Sequence, residues 1–379
     1  MCIYTLSNEV LLLIFDILYD QKSLADCSRV CRSWYTLTTP LIWNQIEIEM
    51  VETMMTITVD CNAIKFSKFH EWKSLLEFTR DVDIKIYGDD PQEISNVDSI
   101  LKCLPMDELK HVRILSEIPY LSIYRTIEFF FGANNLISFN LFYLMESPRI
   151  TLPTFSRSLQ YLRIRHIYST YTPIDNFKSA LANVVPRAID FGYIRFDNSS
   201  DLCSLINDRG QHLQSIHLTQ CRNCPIDDLI DAISNSCPKL SSISITALDS
   251  SRTNRRTICQ LIDKCTRLTK ISFYDIGGID DYFLRSCASK AYNLQELRIS
   301  SDNLAITGDD VNDISAFINL QCLELEGVRQ WSKTTTLLER LSEQQNLQYH
   351  IYPSINPNTI SCWTDMYSMQ LSKYLGLIN

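Results

Sequence analysis

A chain of 379 residues, 45% hydrophobic and 21% charged, has room for two or three domains and enough apolar content to bury a sizeable core, which excludes a disordered protein. Its formal charge of -9, from 35 Lys and Arg against 44 Asp and Glu, excludes nucleic acid as the main partner, because phosphate binding needs a positive surface. The 14 cysteines accompany a first apolar run that follows acidic Glu9 and has neither a basic leading segment nor a small-residue cleavage site, so reduced thiols in a cytoplasmic or nuclear protein are expected.

The first predicted element is a helix. Ser7 can cap it, Glu9 sits near its positive end, and Val10, Leu11, Leu12, Leu13, Ile14, Phe15, Ile17, Leu18 and Tyr19 make it apolar nearly all round. Asp16 interrupts the run and Asp20 ends it, too short for a bilayer span, so no membrane is expected as a partner. A second helix is predicted from Ser23, with Asp26 as its capping-box pair; Leu24, Cys27, Val30, Cys31 and Trp34 fall at helical spacing along one face. Pro40 is expected to end a third segment. Three short helices in about forty residues cannot bury this much apolar surface among themselves. The remainder is an exposed patch on the order of several hundred Å², the mark of a protein interface.

The same residues resemble an F-box. Leu6, Glu9, Ile14, Leu18, Leu24, Val30, Cys31, Arg32, Trp34, Leu37, Pro40 and Trp43 fit that family's Leu-Pro-x-Glu start, Val-Cys-Arg-x-Trp element and closing Pro-x-x-Trp. Ser7 stands where the family usually has proline. F-boxes dock on a Skp-type adaptor, which is tied to a cullin in a ubiquitin ligase, so the resemblance implies those partners. The unshielded apolar surface nominates Leu6, Val10, Leu13, Ile14, Leu18, Leu24, Val30 and Trp34 for the adaptor contact, some of them also packing the F-box's own helices.

Further along, a period takes over. LQSIHL at Leu213, LSSISI at Leu240, LTKISF at Leu268, LQELRI at Leu294 and LQCLEL at Leu320 share one template, spaced 27, 28, 26 and 26 residues apart. LQYHIY at Leu347 follows 27 later, with His350 spoiling its fourth position. Upstream, Leu109, Leu136 and Leu159 begin matching stretches, Pro186 a weaker one, and the residues around Ile46 and Val82 read as degenerate first repeats. Helical faces fall between the strands: Ile226, Leu229, Ile230 and Ile233 behind Pro225; then Ile258, Leu261 and Ile262; Ile279 and Phe283; Val311 and Ile314.

A period of 26 to 28 residues lies in the leucine-rich-repeat range. CPKL at Cys237 and CTRL at Cys265 resemble the cysteine-containing repeats of many F-box proteins, fungal-like in character. The expected fold is α/β: a three-helix F-box over residues 1–45, then a right-handed leucine-rich-repeat solenoid over 46–346, one strand plus one helix per repeat. Residues 347–379 form a C-terminal cap or tail, with Trp363, Met366, Tyr367, Met369 and Leu371 available to close the last layer.

Nothing in the sequence points to chemistry, and no cofactor or metal is expected. His212, His217, Cys221 and Cys224 form the tightest metal-like cluster, but strand alternation sends His217 away from Leu218 and no second Cys-x-x-Cys completes a zinc set. Nine glycines supply no phosphate-binding loop, and a Gly-x-Ser-x-Gly elbow is missing. The reading is therefore a non-catalytic substrate receptor of a ubiquitin ligase, with a non-degradative scaffold or a ligand-sensing receptor as alternatives. In the template the third, fifth and seventh residues leave the core for the concave sheet. There Arg113, Arg163 and Arg165, with Phe142 and Tyr161, form a basic and aromatic exception in an acidic chain. That pattern suits an acidic or phosphorylated segment of a protein target, unless the arginines simply meet Asp190 or the acidic first strands.

Overall fold

The computed structural model describes residues 7–17, 21–42, 45–51, 54–59, 62–65, 73–86, 101–116, 127, 129–130, 133–143, 150–152, 154–166, 172–175, 177–196, 198–251, 253–304, 306, 317, 319–328 and 348–353. The chain divides into two compact units, Met1–Val185 and Pro186–Asn379. Among the described residues no helix is long and apolar enough to cross a membrane.

The first unit opens with three helices, α1 (Asn8–Ile17), α2 (Gln21–Ser28) and α3 (Arg32–Ile42). Leu11, Phe15 and Leu24 form their small core, with Cys27, Trp34, Leu37, Leu41 and Ile42 packed partly buried against it. Two sequence expectations are corrected here. Helix α2 begins at Gln21, so Ser23 lies inside it rather than capping it. Pro40 does not end α3, which runs on to Ile42. A proline in the last turn forfeits one backbone bond, and hydroxyls beside it bond to earlier carbonyls: Thr38 donates to Trp34 O at 2.8 Å and Thr39 to Tyr35 O at 2.6 Å.

The chain then enters β1 (Gln45–Val51), β2 (Met54–Val59) and β3 (Asn62–Lys65), an antiparallel meander. Neither β2 nor β3 carries the template leucines, and the repeat does not anticipate them. On its other side β1 pairs in parallel with β4 (Asp81–Ile86), followed by β5 (His111–Ser116) and β6 (Ser138–Tyr143). A short parallel pair, β7 (Ile150–Thr151) and β9 (Thr172–Asp175), flanks β8 (Tyr161–His166) in sequence, and β8 itself joins β6 in parallel. The weak strands around Ile46 and Val82 are in phase with the rest: Ile46 lies opposite Val82, and Val82 opposite Val112. One helical turn, α4 (Phe177–Ala180), buries Phe177 and Ala180.

The second unit alternates strands and helices: β10 (Ala188–Gly192), β11 (Ile194–Phe196), α5 (Asp201–Arg209), β12 (Ser215–Thr219), α6 (Ile226–Ser236) and β13 (Ser242–Ser251). It continues through α7 (Arg255–Lys264), β14 (Lys270–Ile276), α8 (Asp281–Lys290), β15 (Glu296–Leu304), β16 (Cys322–Val328) and β17 (Gln348–Pro353). Apart from β11, these strands lie parallel in sequence order, each in register with the next. Helices α5 to α8 pack side by side, α5 on α6, α6 on α7 and α7 on α8. Local chemistry starts two of them: Asn254 accepts from Arg256 N at 2.9 Å, and Asp280 accepts from Phe283 N at 3.2 Å.

The template leucines Leu213, Leu240, Leu268, Leu294 and Leu320 are all buried, together with the strand pairs Ile216/Leu218, Ile243/Ile245, Ile271/Phe273, Leu297/Ile299 and Leu323/Leu325. Burying each such side chain stabilises the fold by about 1.5–3 kcal/mol. Polar bonding repeats with the same period. The carbonyls of Arg187, Gln214, Ser241, Thr269 and Gln295 each accept the two N–H groups that begin the following strand, at 2.7–3.1 Å. Those of Arg80, Lys110 and Ile137 do so in the first unit.

The last strand corrects the template by one residue. Tyr349 lies opposite Leu323, His350 opposite Glu324 and Ile351 opposite Leu325, a backbone register one residue earlier than the leucine at Leu347 suggests. The helical pair Val311 and Ile314 and the cap residues Trp363, Met366, Tyr367, Met369 and Leu371 lie outside the described residues.

Candidate functional site

Helix α1 has two apolar sides. Leu11 and Phe15 point inward, where the Phe15 ring meets Trp34 edge-on at 5.1 Å. Val10, Leu13 and Ile14, at i, i+3 and i+4 spacing, are turned outward, and Leu13 is 65% exposed. Val30, in the turn before α3, is exposed as well. Leaving such a row in water is unfavourable for a helix that could have carried polar residues there. At the start of the helix the Ser7 hydroxyl beside Glu9 holds that carboxyl below its usual range.

Of the eight residues nominated for adaptor contact, Val10, Leu13, Ile14 and Val30 therefore share the exposed category. Leu24 is one of the nominated residues that pack the helices' own core: it is only 6% exposed and lies with Leu11 and Phe15. Trp34 is half-buried on the same core. Leu6 and Leu18 lie outside the described residues. The sequence reading missed Leu12 and Tyr35, both exposed. For Tyr35 the available signal was its place beside Trp34: about 100° further round a helix, it cannot share the inward face.

The second candidate is the strand face of the first unit. Arg113, Asn140 and Arg163 form one cross-strand row on β5, β6 and β8; Leu115, Phe142 and Arg165 form the next row on that face. Here the structure changes the expectation for Phe142, which is buried at 3% exposure rather than flanking the patch in the open. The Arg113 and Arg163 guanidinium carbons lie 5.6 and 5.8 Å from its ring centroid. Tyr161 is exposed, while Arg163 and Arg165 are half-buried. Arg113 also meets an acidic early strand, its terminal nitrogen 3.6 Å from an Asp83 carboxylate oxygen, whereas its Nε is buried without a hydrogen-bond partner. Next to this pair, burial pushes the Asp81 carboxyl up, against the pull of His111 and Lys110.

The His and Cys cluster does not assemble into a site. Cys221 donates to Phe191 O at 3.5 Å, and Cys224 is buried, its thiol held well above the usual range by that burial. His212 ends a 3-10 turn and His217 lies within β12. Among the described residues no group of three or more His, Cys, Asp or Glu is arranged to hold a metal.

With this geometry in place, residues 8–49 match the F-box-like family model. The match takes in all three helices and the start of β1. F-box domains generally bind Skp-type adaptors. No curated protein matches the chain.

Proposed function

We propose, from the F-box-like domain at residues 8–49, that this chain is the substrate-recognition subunit of a Skp-cullin-F-box ubiquitin ligase. The observation that carries the reading is the outward apolar row Val10, Leu13 and Ile14 on α1, set against an inner row that already fills the domain's core. A second apolar face on a helix needs a partner to cover it. The remaining chain is read as a right-handed leucine-rich-repeat solenoid over residues 46–346 with a cap after it, and its strand face and loops hold a target protein. In-phase parallel strands and buried template leucines support that part. The chain's contribution is proximity, bringing a target to the ubiquitin-loading enzyme, with no bond made by its own side chains. It acts in the cytoplasm, the nucleus or both.

The test is a pull-down of the adaptor with wild type and a Leu13→Ala, Ile14→Ala double variant. Buried anchors at interfaces commonly cost about 2 kcal/mol or more when truncated, roughly thirtyfold in affinity, so the variant should lose most of the adaptor. Equal recovery by a variant with unchanged circular dichroism overturns the reading. Co-purification of a cullin with wild type separates a ligase from a non-degradative scaffold.

A further inference from the structure

Helix α3 is covered on two different sides. Trp34, Leu37, Leu41 and Ile42 pack on the helical domain's core with Leu11, Phe15 and Leu24. Thr39 lies elsewhere, about 140° round the helix from Trp34. It is nevertheless only 6% exposed, and Thr38 beside it is fully buried. One turn earlier on Thr39's side, Tyr35 and Thr36 are open to solvent. The cover is therefore local to the last turns of α3. The helix packs against the 3-10 turn Lys73–Phe78, whose Leu76 is 1% exposed. Each threonine hydroxyl is bonded to a carbonyl of α3 itself, so their burial leaves neither hydroxyl unsatisfied.

The turn Lys73–Phe78 leads into β4 as α3 leads into β1, and those strands pair in parallel from Gln45 and Asp81 onward. The second unit repeats the arrangement. There α6 leads into β13 and α7 into β14, the helices pack side by side, and the strands pair in parallel from Ser242 and Lys270. Helix α3 thus holds the helix position of the repeat that ends in β1. It also falls in the same compact unit as β1 to β8, Met1–Val185. A stack of repeats leaves an open layer at each end and needs a terminal element to close it.

We propose that α3 belongs to the helical domain and to the strand array at once, closing the helix side of the array's first layer, so that a partner bound on α1 stabilises the strands of the first unit. The identity of that partner, a Skp-type adaptor, rests on the receptor reading above. The consequence is regulatory: the adaptor-free chain opens its first strands more often, and docking tightens the strand face read as target-holding. Linkage sets the size. A ligand that binds only the closed form suppresses opening throughout its cooperative unit by 1 + [L]/Kd, about a hundredfold at 100 Kd. A helical domain that folded alone on a flexible linker would keep that gain to itself.

The experiment is hydrogen exchange of the full chain, read separately over α1 to α3, β4 and β5, with and without a saturating Skp-type adaptor. Protection of β4 and β5 should rise about tenfold or more with the adaptor, alongside that of α1 to α3. An adaptor that protects α1 to α3 and leaves β4 and β5 unchanged overturns the proposal. Thr39→Lys puts a charged chain into the joint, and Leu76→Ala thins it from the other side. Both positions lie off the outward row Val10, Leu13 and Ile14, so adaptor should still bind and still protect α1 to α3. The gain in β4 and β5 should shrink at least about threefold in either variant. If Thr39→Lys unfolds α3, Leu76→Ala carries the test alone, and an undiminished gain there counts against the joint. A wild type that binds no adaptor speaks against the receptor reading instead. The joint is then decided by Thr39→Lys without adaptor: faster exchange in β4 and β5 supports it, and unchanged exchange rules it out.

Discussion

The strand faces of the two units are laid out on one backbone plan and differ in chemistry. In residues 186–379, Lys270 meets Glu296 at 2.7 Å and Arg298 meets Glu324 at 3.7 Å, each acid one strand beyond its cation in the same row. In the first unit, the preceding-strand neighbours are Asn140 for Arg163 and Phe142 for Arg165, an amide and a ring where the second unit sets Lys270 before Glu296. Both faces start from the same doubly accepting carbonyls and the same alternation of buried and half-buried positions. The core positions of the repeat therefore fix geometry alone. The alternate positions pack less, Leu115 and Phe142 being buried exceptions in the first unit, and are where function can vary with least disturbance to the fold.

If that division holds, core substitutions should cost the same in either unit. Phe139 on β6 and Phe273 on β14 are both fully buried, and each packs on a second ring, Phe155 at 5.2 Å and Phe283 at 6.1 Å. Phe139→Ala and Phe273→Ala should each destabilise by about 3–5 kcal/mol in urea unfolding. A cost under about 1 kcal/mol for one of them would mean that the two units do not share a core logic.

The units differ in their thiols, and pH exposes that difference. Among the described residues, Cys27, Cys31 and Cys103 of the first unit are half-buried, whereas the second unit buries Cys224, Cys237, Cys259, Cys265 and Cys287 beside half-buried Cys203, Cys221 and Cys322. Burial pushes the Cys237 thiol up to about 12 and the Cys265 thiol to about 11, from an ordinary 9.0. Between pH 9 and these values the unfolded chain has lost protons that the folded chain keeps, so the unfolded state binds fewer. Stability is then full below about pH 9 and falls as pH rises toward 12, by on the order of a few kcal/mol. Unfolding of an isolated difference pair, wild type against Cys237→Ala, should show the alkaline loss shrinking in the variant. Iodoacetamide at neutral pH should label Cys31 and Cys103 before any buried thiol.

Much of this was legible in the sequence because the signal repeats. A leucine every 26 to 28 residues marks the same inward position again and again, and five such matches locate β12 to β16. Where the signal occurs once, it misled. LQYHIY offers a leucine at Leu347 that suggests a phase one residue late, and only the pairing of Ile351 with Leu325 corrects it. The β2–β3 meander has no template to announce it. In the helical domain, apolar content marked both α1 and α2 but could not sort Leu24 from Leu13. Inward and outward faces are equally greasy there, and α2's placement decides between them. Likewise Phe142 was visible as an aromatic among arginines, but its burial beneath them depends on neighbouring strands.

A smaller effect should follow from the loop that separates β14 from α8. Gly278 has φ +76, and a Cβ there would collide with the Thr253 carbonyl oxygen. Gly278→Ala combines a left-handed backbone, costing about 1–2 kcal/mol for other residues, with a contact that backbone must move to relieve. Calorimetry should show a lowered Tm with adaptor binding retained, since the strain sits in the second unit and the outward row Val10, Leu13 and Ile14 belongs to the first. An unchanged Tm would mean that the loop relaxes freely.

The smallest effect should come from the paired charges themselves. Lys270 and Glu296 are each partly open to solvent, as are Arg298 and Glu324, so water screens both pairs. A double-mutant cycle on Lys270→Ala and Glu296→Ala should return a coupling of only about 0.2–1 kcal/mol, shrinking further at high salt. Truncating one partner alone should cost little for the same reason, because the remaining charge stays in contact with water. A coupling that is large and insensitive to salt would mean that the cross-strand pairs, and not the buried rows beneath them, hold the second unit's strands in register.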